Sequence, residues 1–112
     1  MRVRDKDAQA KYARTHYEKN KKAIKSRAKN HSKMARARNR AFVDSYLSGH
    51  RCEDCGEQDV IVLEFDHVRG TKSGNVANMV QSPVSMSTLR KEIDKCEVVC
   101  SNCHRRRTHK RR

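Results

Sequence analysis

Two matched cysteine pairs, Cys52-x-x-Cys55 and Cys100-x-x-Cys103, constrain this chain more than any other feature; 44 residues lie between them. A C-x-x-C turn brings two sulfurs within reach of one zinc ion, and two such turns complete a tetrahedral four-thiolate site. Both ends of the intervening chain must therefore return to one point. Gly56 follows the first pair directly, where a knuckle needs a residue tolerant of unusual φ. Four thiolates leave no open position, so the expected Zn2+ is structural. Its binding energy, of order 10 kcal/mol, is in large part folding energy. Redox-active C-x-x-C motifs are the competing reading. The fifth cysteine, Cys96, stands beside an apolar strand and reads as a small buried hydrophobe.

A metal staple also answers a shortage of core. Only 35 % of the 112 residues are apolar, 4 % are aromatic and there is no Trp, and small domains with thin cores usually need a cross-link. The net charge of +14 is unevenly spread. Residues 1–50 carry 15 Lys/Arg against 4 Asp/Glu, the last nine residues carry six basic residues and no acids, and residues 51–103 carry 6 basic against 9 acidic. Two basic ends around a slightly acidic centre point to a polyanionic partner. No apolar run reaches transmembrane length, and the first residues lack an apolar signal region, so the expected setting is the cytoplasm with reduced thiols and no membrane.

Residues 5–47 read as helix, dominated by the helix formers Ala, Lys and Arg and free of Pro and Gly. Its apolar positions are sparse up to residue 38: Tyr12, Tyr17, Ile24 and Met34. Phe42, Val43, Tyr46 and Leu47 then form one apolar stripe, expected to dock on the domain downstream of it, and Gly49 suits the helix stop. The composition shifts at residue 51. Residues 60–65 read as a strand, 69–75 as a loop, 76–81 as a short helix ended by Pro83, 88–95 as a helix capped by Ser87 with Leu89 and Ile93 inward, 97–99 as a strand, and 103–112 as a basic helix.

The cysteine framework brings Asp66-His67, after the first strand, close to His104, after the last cysteine. Asp66 and His104 could then share one divalent cation. Mg2+ or Mn2+ is expected, since Mg2+ takes few protein ligands and keeps several waters. Neutral His67, pointing the other way, could take a proton from an attacking water. An Asp-His pair alone is a weak signal; its placement between two C-x-x-C pairs gives it weight.

The run CEDCGEQDVIVLEFDHVRG followed by KCEVVCSNCHRRRTHKRR closely resembles the HNH, or ββα-metal, nuclease family, and in particular its small phage-encoded members. The resemblance covers residues 52–110. It implies an α+β fold: a small ββα-metal domain with four-cysteine zinc knuckles over 39–112, preceded by a long basic nucleic-acid-binding extension over 1–38. It implies metal-dependent hydrolysis of DNA phosphodiester bonds, with His67 as general base and Asp66 and His104 as metal ligands. It also suggests a phage packaging or replication protein as a partner, in the cytoplasm of an infected host. One departure stands out. The middle Asn of the family, which braces the loop carrying the catalytic His, is replaced by Lys95, leaving Asn75, Asn78 and Asn102 as candidates for that task.

For the substrate, Arg105, Arg106, Arg107 and Lys110 on the last helix, and Lys21, Lys22, Lys25 and Arg27 in the N-terminal segment, are expected to contact phosphates. No base-reading motif accompanies them, so binding should be weakly sequence-selective and steeply salt-dependent. His16, His31, His50 and His109 read as surface residues. The alternative to a nuclease is a non-catalytic zinc-ribbon module that binds nucleic acid; only Asp66, His67 and His104 separate the two.

Overall fold

The computed structural model describes residues 6–112 and is an α+β arrangement with two compact units that divide between Ser32 and Lys33. Helix α1 spans Lys6–Ser48. A 3-10 turn at Val60–Val62 leads into β1 (Leu63–His67), followed by α2 (Val76–Val80), α3 (Met86–Ile93), β2 (Cys96–Cys100) and α4 (Ser101–Lys110). The first five residues of the expected N-terminal extension lie outside the described residues.

In the first unit, Tyr12, Tyr17 and Ile24 stay exposed, as their sparse spacing predicts. In the second unit, burial along α1 begins at Ala35 and Asn39, a turn before the stripe read from hydropathy. Asn39, fully buried, donates to the carbonyls of Ser82 and Val84, at 3.3 and 3.1 Å. A polar residue satisfied by backbone acceptors carries no hydropathy signal, which is why the pattern places the onset later. Leu47 then enters a core with Cys52, Leu63, Val98, Val99, Cys100 and Cys103. Val76, Leu89, Ile93 and Cys96 form a second core, with Phe42, Val43, Tyr46 and Phe65 against it.

β1 and β2 pair antiparallel, Leu63 opposite Cys100 and His67 opposite Cys96. The strand read at 60–65 therefore starts three residues later. Asp59 accepts the Ile61 N–H and caps a 3-10 turn, leaving Ile61 91 % exposed, so those β-branched residues serve the turn. The cap of α3 is Ser85, not Ser87: its Oγ accepts the Thr88 N–H at 3.1 Å and pairs with the Thr88 hydroxyl. α4 starts two residues earlier than expected because the Cys100 sulfur caps it, accepting from the Cys103 N–H.

Candidate metal centre and adjoining cleft

β2 ends at Cys100 and α4 carries Cys103 in its first turn, so the second cysteine pair spans a strand-to-helix junction. The first pair sits in a turn closed by the Gly56 N–H donating to the Cys52 carbonyl at 2.9 Å, with Gly56 at φ +80°. The Glu53 N–H donates to the Val98 carbonyl and ties that turn to β2. Together these bring the ligand atoms of Cys52, Cys55, Cys100 and Cys103 within 4.8 Å of one another. The Cys55 and Cys100 sulfurs are 3.7 Å apart, close to the edge of about 3.8 Å expected for a tetrahedron with Zn–S bonds near 2.3 Å. The donor set and spacing fit a metal ion such as zinc. Crowding also splits the acidities. Burial opposes ionisation of Cys52, but neighbouring backbone donors, that of Cys100 foremost, bring it down to about 6. Burial, then the adjacent sulfurs, pushes Cys103 up to about 12. Cys96 is buried outside this group and reaches about 11 for the same first reason.

The α4 turn that follows Cys103 lies against β1. His104 Nε2 is 3.4 Å from Asp66 Oδ1, a separation that two donors of one small cation can adopt. On its other side, His104 Nδ1 meets Glu64 Oε1 at 2.7 Å, while the Ser101 hydroxyl donates to Glu64 Oε2. Glu64 escaped the sequence reading, although alternation along a strand puts residues 64 and 66 on one face. Asp66 is buried at 2 % exposure and accepts from Arg107 at 2.9 Å and from both terminal nitrogens of Arg111 at 2.8 Å. The Arg111 bonds, against the cost of burial and helped by Arg107, hold its carboxyl at about 2. Asp66 was expected to present open lone pairs to a cation; instead three N–H donors occupy them. A cation reaching Asp66 competes with Arg111, whose side chain is half exposed.

His67 lines the same cleft as Glu64, Asp66, His104 and Arg111, a cavity of about 590 Å³ with Val76 and Val80 in its apolar wall. His67 Nε2 pairs with Glu92 Oε1 at 2.9 Å. Glu92 is 2 % exposed and also accepts the N–H groups of Ser73 and Gly74 and, at 2.9 Å, the Lys95 ammonium. Lys95 foremost, then those N–H groups and His67, outweigh burial and hold the Glu92 carboxyl at about 2. Lys95 further donates to the Thr71 carbonyl and the Ser73 hydroxyl. The loop after His67 is thus braced by Lys95 and Glu92. Asn75, Asn78 and Asn102 do not take that part: Asn75 caps α2, while Asn78 and Asn102 are exposed. The signal for Glu92 was present, since it shares the helical face of Leu89 and Ile93 and a carboxylate on an apolar stripe requires an internal partner.

The basic residues divide. Arg105, Arg106 and Lys110 are exposed on α4 around a surface depression, and none forms a close ion pair with a carboxylate among the described residues, although the charge of Lys110 reaches Asp54. Arg107, expected with them, is turned inward: it binds Asp54 through two nitrogens at 2.7 Å, Asp66 at 2.9 Å and Glu97 at 3.2 Å. Lys21, Lys22, Lys25 and Arg27 are exposed on α1, and none is ion-paired to a described residue. No described helix is long and apolar enough to cross a membrane. No protein-family model matches the chain, and no curated protein or solved structure is significantly similar to it.

Proposed function

We propose that the protein is a metal-dependent DNA endonuclease of the HNH type, with a structural Zn2+ at Cys52, Cys55, Cys100 and Cys103. The observation that carries this reading is the approach of Asp66 and His104, 38 positions apart in sequence, to 3.4 Å in a cleft that His67 also lines. Asp66 Oδ1 and His104 Nε2 are the residues that would hold a second divalent cation, Mg2+ or Mn2+. When bound, such an ion polarises the phosphate and stabilises the leaving oxygen. Glu64 fixes the ring of His104 by accepting at Nδ1, which leaves Nε2 directed to Asp66. His67 takes the proton of the attacking water. Arg105, Arg106 and Lys110, and the basic face of α1, hold phosphates without reading bases. A phage-type packaging or replication context fits the resemblance in sequence.

One observation favours the alternative of a non-catalytic zinc-bound nucleic-acid binder: Arg107 and Arg111 already neutralise Asp66. Nicking of supercoiled plasmid separates the two. Zinc-loaded protein should nick with added Mg2+ or Mn2+ and be inert without it. His67→Ala should cut about 100-fold to 10,000-fold more slowly, the usual weight of a general base. Equal cutting by wild type and His67→Ala would overturn the nuclease reading.

A further inference from the structure

The contacts of Glu92 reach beyond packing. Its carboxylate is ionised and therefore only accepts hydrogen bonds. Oε2 is bound to the Lys95 ammonium and Oε1 is shared by the Ser73 and Gly74 N–H groups and His67 Nε2. For the 2.9 Å contact to be a hydrogen bond, the proton must sit on His67 Nε2. In the neutral ring the other nitrogen, Nδ1, is then an acceptor with a lone pair. His67 makes its one side-chain hydrogen bond among the described residues to Glu92, so Nδ1 is left without a protein partner while the residue lines the cleft beside Asp66 and His104.

We propose that Glu92 is the positioning residue of this cleft: it fixes the ring orientation and the Nε2–H tautomer of His67 and leaves Nδ1 as the proton acceptor, while Lys95 holds Glu92 in place. The role of Nδ1 rests on the nuclease reading; the Glu92–His67 bond does not. The arrangement also accounts for Lys95 at its position in the sequence. Its ammonium spans the Thr71 carbonyl, the Ser73 hydroxyl and Glu92, and its stem lies 3.6 Å from where a side chain at Gly70 would begin. One lysine therefore locks both the loop after His67 and the carboxylate that orients it. The geometry asks for a carboxylate at 92 because Oε1 serves three donors at once, one from β1 and two from the loop at Ser73 and Gly74, and a single neutral acceptor supplies less charge to hold them.

Two readouts on the full-length zinc-loaded protein test this. The first is nitrogen-detected NMR of protein carrying 15N-histidine, at a pH where His67 is neutral. Wild type should show a His67 Nε2 proton protected from solvent exchange, and Glu92→Gln should expose that proton to faster exchange. The second is single-turnover cleavage. Glu92→Gln should retain zinc, melting temperature near wild type and a DNA Kd within about twofold, yet cut about 10-fold to 100-fold more slowly, the usual effect of removing a carboxylate that orients a site histidine. Where Glu92→Gln is too unstable to test, Lys95→Met, which keeps the stem, should show the same split between binding and rate in weaker form. Absence of the protected Nε2 proton in wild type, or equal cutting by wild type and both variants, would overturn the positioning role. A protected proton in a wild-type protein that cuts no DNA with any divalent metal would support the bond and overturn the nuclease reading, so the two failures are distinct.

Discussion

Arg107 shows how a single side chain decides whether the pairing of β1 and β2 is tolerable. The register sets Asp66 opposite Glu97, and like charges facing each other across a ladder are destabilising. Arg107 lies between them and adds two bonds to Asp54 from the cysteine turn. Its removal leaves Asp66 buried with fewer partners, so Arg107→Gln should lower stability by about 2–4 kcal/mol, whereas Arg105→Gln, at an exposed unpaired site, should stay within about 0.5 kcal/mol. The pH dependence follows from Asp66. Its folded carboxyl is held at about 2, below an ordinary value near 3.9, so the stabilisation is present above the ordinary value and fades as pH falls towards the folded one. Urea unfolding should show a constant gap between wild type and Arg107→Gln above about pH 5 and a narrowing gap below about pH 4. A gap that widens on acidification would contradict the assignment. Among the site residues, Cys52, Cys55, Cys100 and Cys103 were legible because spacing alone marks them, and so was the approach of Asp66 to His104. Glu64, Glu92 and the inward turn of Arg107 were not read. Charged residues look alike in sequence whether solvated or paired, and only the alternation of β1 and the apolar face of α3 hinted at the first two.

At the scale of elements, the cysteine pairs substitute for a larger core. Cys100 ends β2, caps α4 and offers one of the four sulfurs that could hold a metal ion, so one residue joins three pieces of structure. Removal of one ligand therefore loosens the cysteine turn, the strand pair and the last helix together. Zinc binding of order 10 kcal/mol is comparable with the whole stability of a small domain, about 5–15 kcal/mol. Cys52→Ser or Cys103→Ser should abolish the cooperative transition of residues 51–112, read as collapse of amide dispersion in NMR spectra, since α1 can keep much of the helical signal. A cooperative melt near that of wild type would show that the cluster is not structural. Elements with a strong local signature, α1 and α2, match the composition closely, whereas α3 begins and ends two residues earlier than expected because Ser85, not Ser87, caps it. The β1 boundary shifted because the Asp59 cap turns three strand-like residues into a 3-10 turn, and the α4 start shifted because a sulfur is not among the usual capping atoms.

At the scale of the whole molecule, two groups of acidic residues surround cationic side chains. Asp54, Asp66 and Glu97 gather around Arg107, and Glu92 lies under His67 and Lys95. The exposed lysines and arginines of α1 and α4 carry the excess positive charge that a polyanion would neutralise. The proposed function requires that one set of four sulfurs fold the chain so that Asp66 and His104 bind a second ion. Titration of zinc-loaded protein with Mn2+, followed by electron paramagnetic resonance, tests this most directly. One Mn2+ site per chain is predicted, lost in Asp66→Ala and in His104→Ala while zinc content is unchanged. Mn2+ binding that is unaffected by either substitution, or absent from wild type, would contradict it.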